Sequence, residues 1–135
     1  MIRSIGVIVP AHNEQDLLPS CLASLRRAAR ALRGVPVHLV VVADACRDQT
    51  AQVARRGGAS VVRISAKSAG EARAAGARAV LRRSRHLRPA DLWLATTGSR
   101  ALRTRALPVI TSARRESRAP DGFGGYLAQL DSATV

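Results

Sequence analysis

Acidic side chains follow two separate apolar runs of the sequence. Glu14 comes shortly after the first run, and Asp44 and Asp48 come directly after the second. Carboxylates in such positions accept hydrogen bonds from polar ligands. A third acidic cluster is missing, because the last apolar run leads into Thr-Gly-Ser-Arg at 97–100. The residues therefore predict a site for a polar ligand without a carboxylate pair for a divalent cation.

Strand and helix periodicities alternate along the first 97 residues. The run at 5–9 is rich in β-branched residues and closed by proline, which is typical of a strand buried on both faces. Leucines then recur at helical spacing, with Asp16 as the expected N-cap and Pro19 in the first turn. A Ser-x-x-Glu capping box opens the third helix. The predicted strands are 5–9, 37–42, 59–64 and 91–96, and the predicted helices begin at Asp16, Asp48 and Ser68 and end at Gly34, Gly57 and about Arg85.

Four strands that alternate with three helices predict right-handed crossovers and one sheet. The expected fold class is a Rossmann-like three-layer α/β/α domain with a mainly parallel four-stranded sheet. All strands then end at the same edge, so the segments after the first, second and fourth strands are expected to share a cleft. We assign this domain to residues 1–97. In 98–135 arginines are scattered among Ser, Thr, Ala and Pro without a clear hydrophobic period, which predicts an irregular, basic and poorly ordered tail.

The chain is strongly basic, with a formal net charge of +13 from 22 Lys and Arg and 9 Asp and Glu. Only Lys67 is a lysine, and the excess of Arg and Ala is typical of a coding bias. Specific nucleic-acid binding is not expected, because the aromatic residues used for stacking make up only 2% of the chain. Cys21 and Cys46 are expected to stay reduced. With no leader and no apolar run of membrane-spanning length, we expect a cytoplasmic protein, and peripheral membrane association stays open.

Three sequence motifs then resemble those of the family 2 glycosyltransferases, which have a GT-A type fold. The segment at 9–14 resembles the exit of that family's first strand, where proline precedes Asn-Glu. The segment at 41–50 resembles its Asp-Asp-Gly-Ser-x-Asp-x-Thr motif, with Ala43 in place of the first acid. The segment at 67–76 resembles its Gly-x-x-x-Ala-Arg-Asn-x-Gly stretch. The resemblance covers residues 4–97, the amino-terminal half of such an enzyme.

The resemblance implies a nucleotide-sugar donor and a set of residues that contact it. Asp44 would accept a hydrogen bond from the nucleobase, whereas Arg73 and Lys67 would assist the diphosphate. A structural alternative exists for most of them: Glu14 as dipole compensation, Asp48 as a helix cap, and Lys67 and Arg73 as solvated surface. His12 is expected to pack rather than react. The implied nucleotide-sugar contacts are Pro10, Ala11, His12, Glu14, Asp44, Asp48, Lys67 and Arg73.

The same resemblance implies inverting transfer that depends on Mg²⁺ or Mn²⁺, but the family's Asp-x-Asp metal motif is absent after Thr96. No catalytic residue is identifiable, because the family's catalytic base lies further along its chain. We therefore expect a truncated and inactive family member, and a frameshift after Thr97 is the simplest explanation. Two alternatives stay open: a non-catalytic module that binds a nucleotide or a partner, and a basic nucleic-acid-binding protein.

Overall fold

The computed structural model describes residues 1–97, and the predicted tail, 98–135, lies outside the described residues. The described chain alternates strands and helices, as its periodicity predicts. A single 3₁₀ turn, Pro89–Asp91, precedes the last strand. The elements are β1 (Ser4–Ala11), α1 (Leu18–Ala31), β2 (Val37–Asp44), α2 (Thr50–Arg56), β3 (Ser60–Ile64), α3 (Ala69–Arg83) and β4 (Leu92–Thr96).

The four strands form one parallel sheet in the order β3-β2-β1-β4. β1 and β2 occupy its centre and pair from Ile5 opposite Val37 to Ala11 opposite Ala43. Both are covered on their two faces, and this is why their sequences are nearly continuous apolar runs rather than alternating ones. All four strands end at the same edge, here called the carboxyl edge, and begin at the amino edge.

Helices cover both faces of the sheet, so the predicted three-layer α/β/α class is confirmed. α1 and α2 cover one face, where Leu18, Leu22 and Leu25 pack with Val7 and Val41. α3 covers the other face, and its buried Ala72, Ala75 and Val80 pack with Ile8, Val40 and Val42.

Two glycines allow α3 to lie close to the sheet. A Cβ atom on Gly6 would come within 2.8 Å of Val80 Cγ2, and one on Gly76 would come within 3.1 Å of Val42 Cγ2. Contacts this short are rare, so either Cβ would push the helix away from β1 and β2. Within residues 1–97, no helix has the length and apolarity that crossing a bilayer requires.

The helix ends differ from the sequence prediction at two of three N-termini. α1 begins one residue later than expected, with Leu17 at the N-cap position and no side-chain cap, so the prediction of Asp16 was wrong. Gln49, not Asp48, occupies the N-cap position of α2. The Ser68 cap of α3 is confirmed, since its Oγ accepts a hydrogen bond from the Glu71 N–H at 3.3 Å.

Candidate functional site

The loops that follow β1, β2 and β3 lie side by side at the carboxyl edge. β2 is between β3 and β1 in the sheet, so its exit contacts the loops on both sides. The backbone N–H of Ala45 donates to the carbonyl of Ile64 at 2.8 Å, which extends the β2–β3 pairing beyond the end of the strand. The three exits together form the rim at which ligands of parallel sheets bind.

Asp44 joins the β2 exit to the β3 exit. Its carboxylate is buried, and Oδ1 accepts hydrogen bonds from the backbone N–H groups of Ala66 and Lys67, both at 2.8 Å. Oδ2 accepts a third from the N–H of Ser68, also at 2.8 Å. Hydrogen bonds to an ionised acceptor are stronger than neutral ones, so this side chain fixes the whole turn that leads into α3.

Asp48 and Thr50 join the β2 exit to the β1 exit. Asp48 Oδ1 accepts hydrogen bonds from both the N–H and the hydroxyl of Thr50, and its Oδ2 accepts one from the N–H of Gln15 at 3.3 Å. The Thr50 hydroxyl oxygen in turn accepts the N–H of Glu14 at 2.9 Å. Partial burial would raise the pKa of the Asp48 carboxyl, but the hydrogen bonds from Thr50 and Gln15 outweigh it and leave the pKa below its usual value.

Further hydrogen bonds between side chains and backbone connect the same two exits. Asn13 Oδ1 accepts the N–H of Arg47 at 2.8 Å, and Gln15 Oε1 accepts the N–H of Gln49 at 3.0 Å. The thiol of Cys46 donates to the carbonyl of Ala11 at 3.4 Å. Sequence reasoning missed Asn13, Gln15, Cys46 and Thr50 as members of the site. Short polar side chains directly after two strands were the available signal, but their partners lie more than 30 positions away.

His12 lies at the crossing of the β1 and β2 exits. Its Nδ1 is 2.7 Å from the carbonyl oxygen of Asp44, and because a carbonyl only accepts, Nδ1 carries the proton. Nε2 then is an acceptor in the neutral ring and faces Asn13 Nδ2 at 3.4 Å. The side chain is exposed, so the expectation that it packs was wrong.

A residue with left-handed backbone follows each of these strands. Asn13, Ala45 and Lys67 have φ angles of 51°, 50° and 51°, respectively. None of them is glycine, so each carries the steric cost of a Cβ atom in this conformation. The rim therefore combines backbone strain with a dense set of hydrogen bonds that hold the strain in place.

The remaining predicted contacts lie around this rim in different environments. Ala11 is buried, so only its backbone is available to a ligand, whereas Pro10 and Glu14 are half-buried. Lys67 is exposed on the β3 exit. Arg73 is half-buried in the second turn of α3, and its Nε is buried without a hydrogen-bond partner. Burial lowers the pKa of its guanidinium, which nevertheless remains charged at neutral pH.

An open cavity of about 370 Å³ lies between the β2 and β3 exits. It adjoins Asp44, and none of the eight predicted contacts lines it. Its walls come from the ends of both strands and from the residues that follow them. The lining residues are Ala43, Ala45, Cys46, Arg63, Ile64 and Ser65.

A divalent metal does not fit the described part of this rim. Residues 1–97 contain no group of three His, Cys, Asp or Glu side chains placed to hold a metal ion. Asp44 and Asp48 are the two carboxylates of the β2 exit, and each already accepts three hydrogen bonds from the protein. Hard cations take six or more oxygen ligands, and the described rim supplies no such shell.

Comparison with known proteins places this rim in a family. A 4,4'-diaponeurosporenoate glycosyltransferase of Staphylococcus haemolyticus is 38% identical over 63 residues, which are 47% of this chain and 16% of that protein. The chain thus spans about a sixth of that relative. Two crystal structures of the Mycobacterium tuberculosis glucosyl-3-phosphoglycerate synthase, one with UDP and one with Mn²⁺, UDP-glucose and phosphoglyceric acid, are each 31% identical. Each match covers 45% of this chain and 21% of the other, with a TM-score of 0.36.

The match to a whole family is broader than any of these pairs. The family described as Glycosyl transferase family 2 matches residues 6–83, which contain the three strand exits and the whole of α3. All of the hydrogen bonds that join the exits lie within this range. Because the match extends over more than half of the chain, the protein belongs to glycosyl transferase family 2.

Proposed function

We propose that residues 1–97 bind the nucleotide part of a nucleotide-sugar donor at the carboxyl edge of the sheet. The observation that supports this most is the joining of three strand exits into one rim by side chains of a family 2 member. Ligands of open parallel sheets bind outside the carboxyl ends of the strands, and a rim fixed before binding loses little entropy when a ligand arrives.

In this proposal the predicted residues divide into two groups. Asp44 and Asp48 position the loops, because their carboxylate oxygens are already occupied by backbone and hydroxyl donors. The backbones of Pro10 and Ala11 and the side chains of His12 and Glu14 face the nucleoside. Lys67 and Arg73 supply positive charge for the diphosphate.

Arg73 is the member of the second group with the clearest reason to bind an anion. Its buried Nε has no acceptor within the described residues, and a buried donor without a partner is unfavourable. A phosphate oxygen would satisfy that donor and pair with the charge, since guanidinium and phosphate form directed hydrogen bonds. α3 holds the Arg73 backbone in place through the close packing of Gly76 on Ile8 and Val42.

We further propose that this chain binds nucleotide sugars without efficient transfer. The family relative from Staphylococcus haemolyticus is named as a glycosyltransferase, so transfer is the activity of the class. In this chain the sequence after β4 has no Asp-x-Asp, and the described rim does not fit the metal that would stabilise the leaving diphosphate.

Calorimetric titration of the full chain with UDP, GDP and dTDP, each with and without Mn²⁺, tests the proposal. We expect at least one to bind, with a Kd that Mn²⁺ leaves unchanged. Arg73→Gln should weaken that binding about 10- to 100-fold, the usual value of a hydrogen bond to a charged group, and should leave binding of the free nucleoside unchanged. Arg78→Gln, an exposed arginine further along α3, is the matched control.

Three outcomes would contradict these statements separately. Failure of all three nucleotides to bind contradicts the nucleotide site. Equal weakening by Arg73→Gln and Arg78→Gln contradicts the role of Arg73 alone. Rapid release of the nucleoside diphosphate from its nucleotide sugar in the presence of Mn²⁺ contradicts the inferred lack of transfer.

A further inference from the structure

The opposite end of the molecule carries a cluster of arginines that the proposed function does not use. Crossover helices run against the strands, so α1 and α2 both end at the amino edge, on the same face of the sheet. The arginines of these two helix ends and of the turn after α1 are here called the arginine face. Its members are Arg26, Arg30, Arg33, Arg55 and Arg56.

Within the described residues, 1–97, no acidic side chain pairs with the arginine face. The ion pair of Arg88 with Asp91 is the only one within residues 1–97, and Asp91 is the single acid of the amino edge. The other described acids all lie on or next to the strand exits at the carboxyl edge: Glu14, Asp16, Asp44, Asp48 and Glu71. The described domain is therefore electrostatically polar, with its positive end opposite the candidate site.

A groove of about 270 Å³ opens within the arginine face between α1, the start of β2 and the end of α2. Its floor is apolar and its walls carry two guanidinium groups one helical turn apart. The guanidinium of Arg26 lies over Gly58, with Cζ 3.3 Å from where a Cβ atom of that residue would stand. Leu32, next to the groove at the end of α1, is 43% exposed. The lining residues are Arg26, Ala29, Arg30, Val37, Leu39 and Gly58.

We propose that the arginine face docks the protein on a bilayer that contains anionic phospholipids. Headgroup phosphates pair with Arg26 and Arg30, and the glycerol and upper acyl region of the same lipid cover the apolar floor of the groove. Arginine suits this role because its planar guanidinium binds phosphate through two parallel hydrogen bonds. Cations that border exposed apolar side chains are the pattern of interfacial membrane binding.

The composition of the face favours a lipid over a nucleic acid. Proteins that bind single strands stack bases on aromatic rings, and the one aromatic residue of the described chain, Trp93, lies on β4, two strands away from the groove. A nucleic-acid backbone would also leave the apolar floor uncovered. Docking in this way points the candidate site away from the bilayer. The eight residues of β1 span about 25 Å, which is the distance between the amino edge and the carboxyl edge.

Co-sedimentation of the full chain with vesicles tests the docking. We expect binding to an equal mixture of phosphatidylglycerol and phosphatidylcholine and none to phosphatidylcholine alone. High salt should release the protein, because the screening length falls to about 3 Å at 1 M. Arg30→Gln with Arg56→Gln should weaken binding about 25-fold, since each arginine near an anionic surface contributes about 5-fold.

The matched control removes the same charge from the other end. Arg47→Gln with Arg63→Gln changes two exposed arginines at the carboxyl edge and should weaken vesicle binding by less than about 3-fold, because both lie farther from the bilayer than the screening length. All four substituted arginines are exposed, so both variants should fold, and circular dichroism checks this.

Each of three results would overturn the proposal. Equal loss of binding in the two double variants would mean that net charge alone, without a docking face, attracts the protein. Equal sedimentation with both kinds of vesicle would exclude headgroup recognition. Tighter binding to a DNA duplex than to the anionic vesicles, weakened by Arg30→Gln with Arg56→Gln, would assign the face to nucleic acid instead.

Discussion

The two edges of the sheet both require left-handed backbone, and they meet this requirement with different residues. At the amino edge the positions are Gly34 and Gly58, with φ angles of 81° and 77°. At the carboxyl edge they are Asn13, Ala45 and Lys67, with φ angles near 50°. Glycine adopts this conformation without steric cost, whereas each side chain costs about 1 kcal/mol or more. The edge that holds the candidate site is therefore the strained one.

The two edges also differ in which groups form their hydrogen bonds. Backbone groups bond to one another in the turns of the amino edge, for example Gly58 N–H to the carbonyl of Arg55 at 2.8 Å. At the carboxyl edge, side chains such as Asp44 and Thr50 supply the acceptors for backbone N–H groups of neighbouring loops. The amino edge thus depends little on particular side chains, and the carboxyl edge depends on a few.

The largest effect is expected for Asp44→Ala at the carboxyl edge. It removes the acceptor of three backbone N–H groups, those of Ala66, Lys67 and Ser68. Loss of a buried charged acceptor with several partners should lower the free energy of unfolding by about 3 kcal/mol. Urea unfolding followed by circular dichroism measures it. Glu71→Ala, an exposed acid on α3, is the control and should lower it by less than about 1 kcal/mol.

Asp44→Asn tests whether the negative charge and both carboxylate oxygens of Asp44 are needed. The amide keeps one oxygen but presents an NH₂ group to the remaining donors, so at least one of the three N–H groups loses its acceptor. The free energy of unfolding of Asp44→Asn should lie between that of the wild type and that of Asp44→Ala. If both substitutions were as mild as Glu71→Ala, Asp44 would not hold the β3 exit, and the described role would be wrong.

Thr50→Val should have the next largest effect. Thr50 is fully buried, and its hydroxyl accepts the N–H of Glu14 and donates to Asp48. Valine fills the same volume but leaves that N–H unpaired, at a cost of about 2 kcal/mol. Thr96→Val, a buried threonine on β4, is the matched control, because within residues 1–97 its hydroxyl contacts only the neighbouring carbonyl of Thr97, at 3.3 Å. An equal loss in both variants would contradict a special role for the link between the β1 and β2 exits.

Acid should weaken the same link. The pKa of Asp48 is lower in the folded protein than in the unfolded chain, so its contribution to stability is complete above about pH 4 and is lost as the pH falls through the lower, folded value. Asp48→Asn should therefore make the free energy of unfolding less dependent on pH between about pH 4 and pH 2. The effect is smaller than that of Thr50→Val, because Asp48 is half-buried and water replaces part of its hydrogen bonding.

Unfolding in urea at a series of pH values measures this dependence. Asp16→Asn, at an exposed position in the neighbouring β1 exit, is the control. An unchanged pH dependence in Asp48→Asn would show that the carboxylate does not stabilise the loop.

The fold was predictable from the sequence because its signals are local. The β-branched runs at β1 and β2 and the glycines after α1 and α2 mark the elements without any knowledge of their partners. The parallel sheet then followed from the alternation of strands and helices. The helix starts were less predictable: Asp16 has the right residue type for a cap, but the chain turns one residue further before α1 begins.

The position of the strand exits was predictable from the sequence, and the hydrogen bonds that join them were not. That the strand exits share one edge follows from parallel topology, and the sequence alone places Asp44 at the end of the second strand. Its partners were not predictable, because Ala66, Lys67 and Ser68 donate through their backbones, which look the same in every sequence. Thr50 and Gln15 likewise became part of the site only through residues 33 to 36 positions away.

The smallest predicted effects test the strain directly and have opposite signs at the two edges. Ala45→Gly removes a Cβ from a left-handed residue of the carboxyl edge, so it should raise the free energy of unfolding by about 0.5 to 1 kcal/mol. Gly34→Ala adds a Cβ at the amino edge, where no other atom of residues 1–97 lies within 4 Å of it, so the left-handed backbone should lower the free energy of unfolding by about 1 kcal/mol. Urea unfolding of both variants measures the pair. Weaker nucleotide binding by Ala45→Gly would mean that the left-handed conformation of Ala45 shapes the β2 exit for the ligand. A lower free energy of unfolding in Ala45→Gly would show instead that this conformation carries no strain.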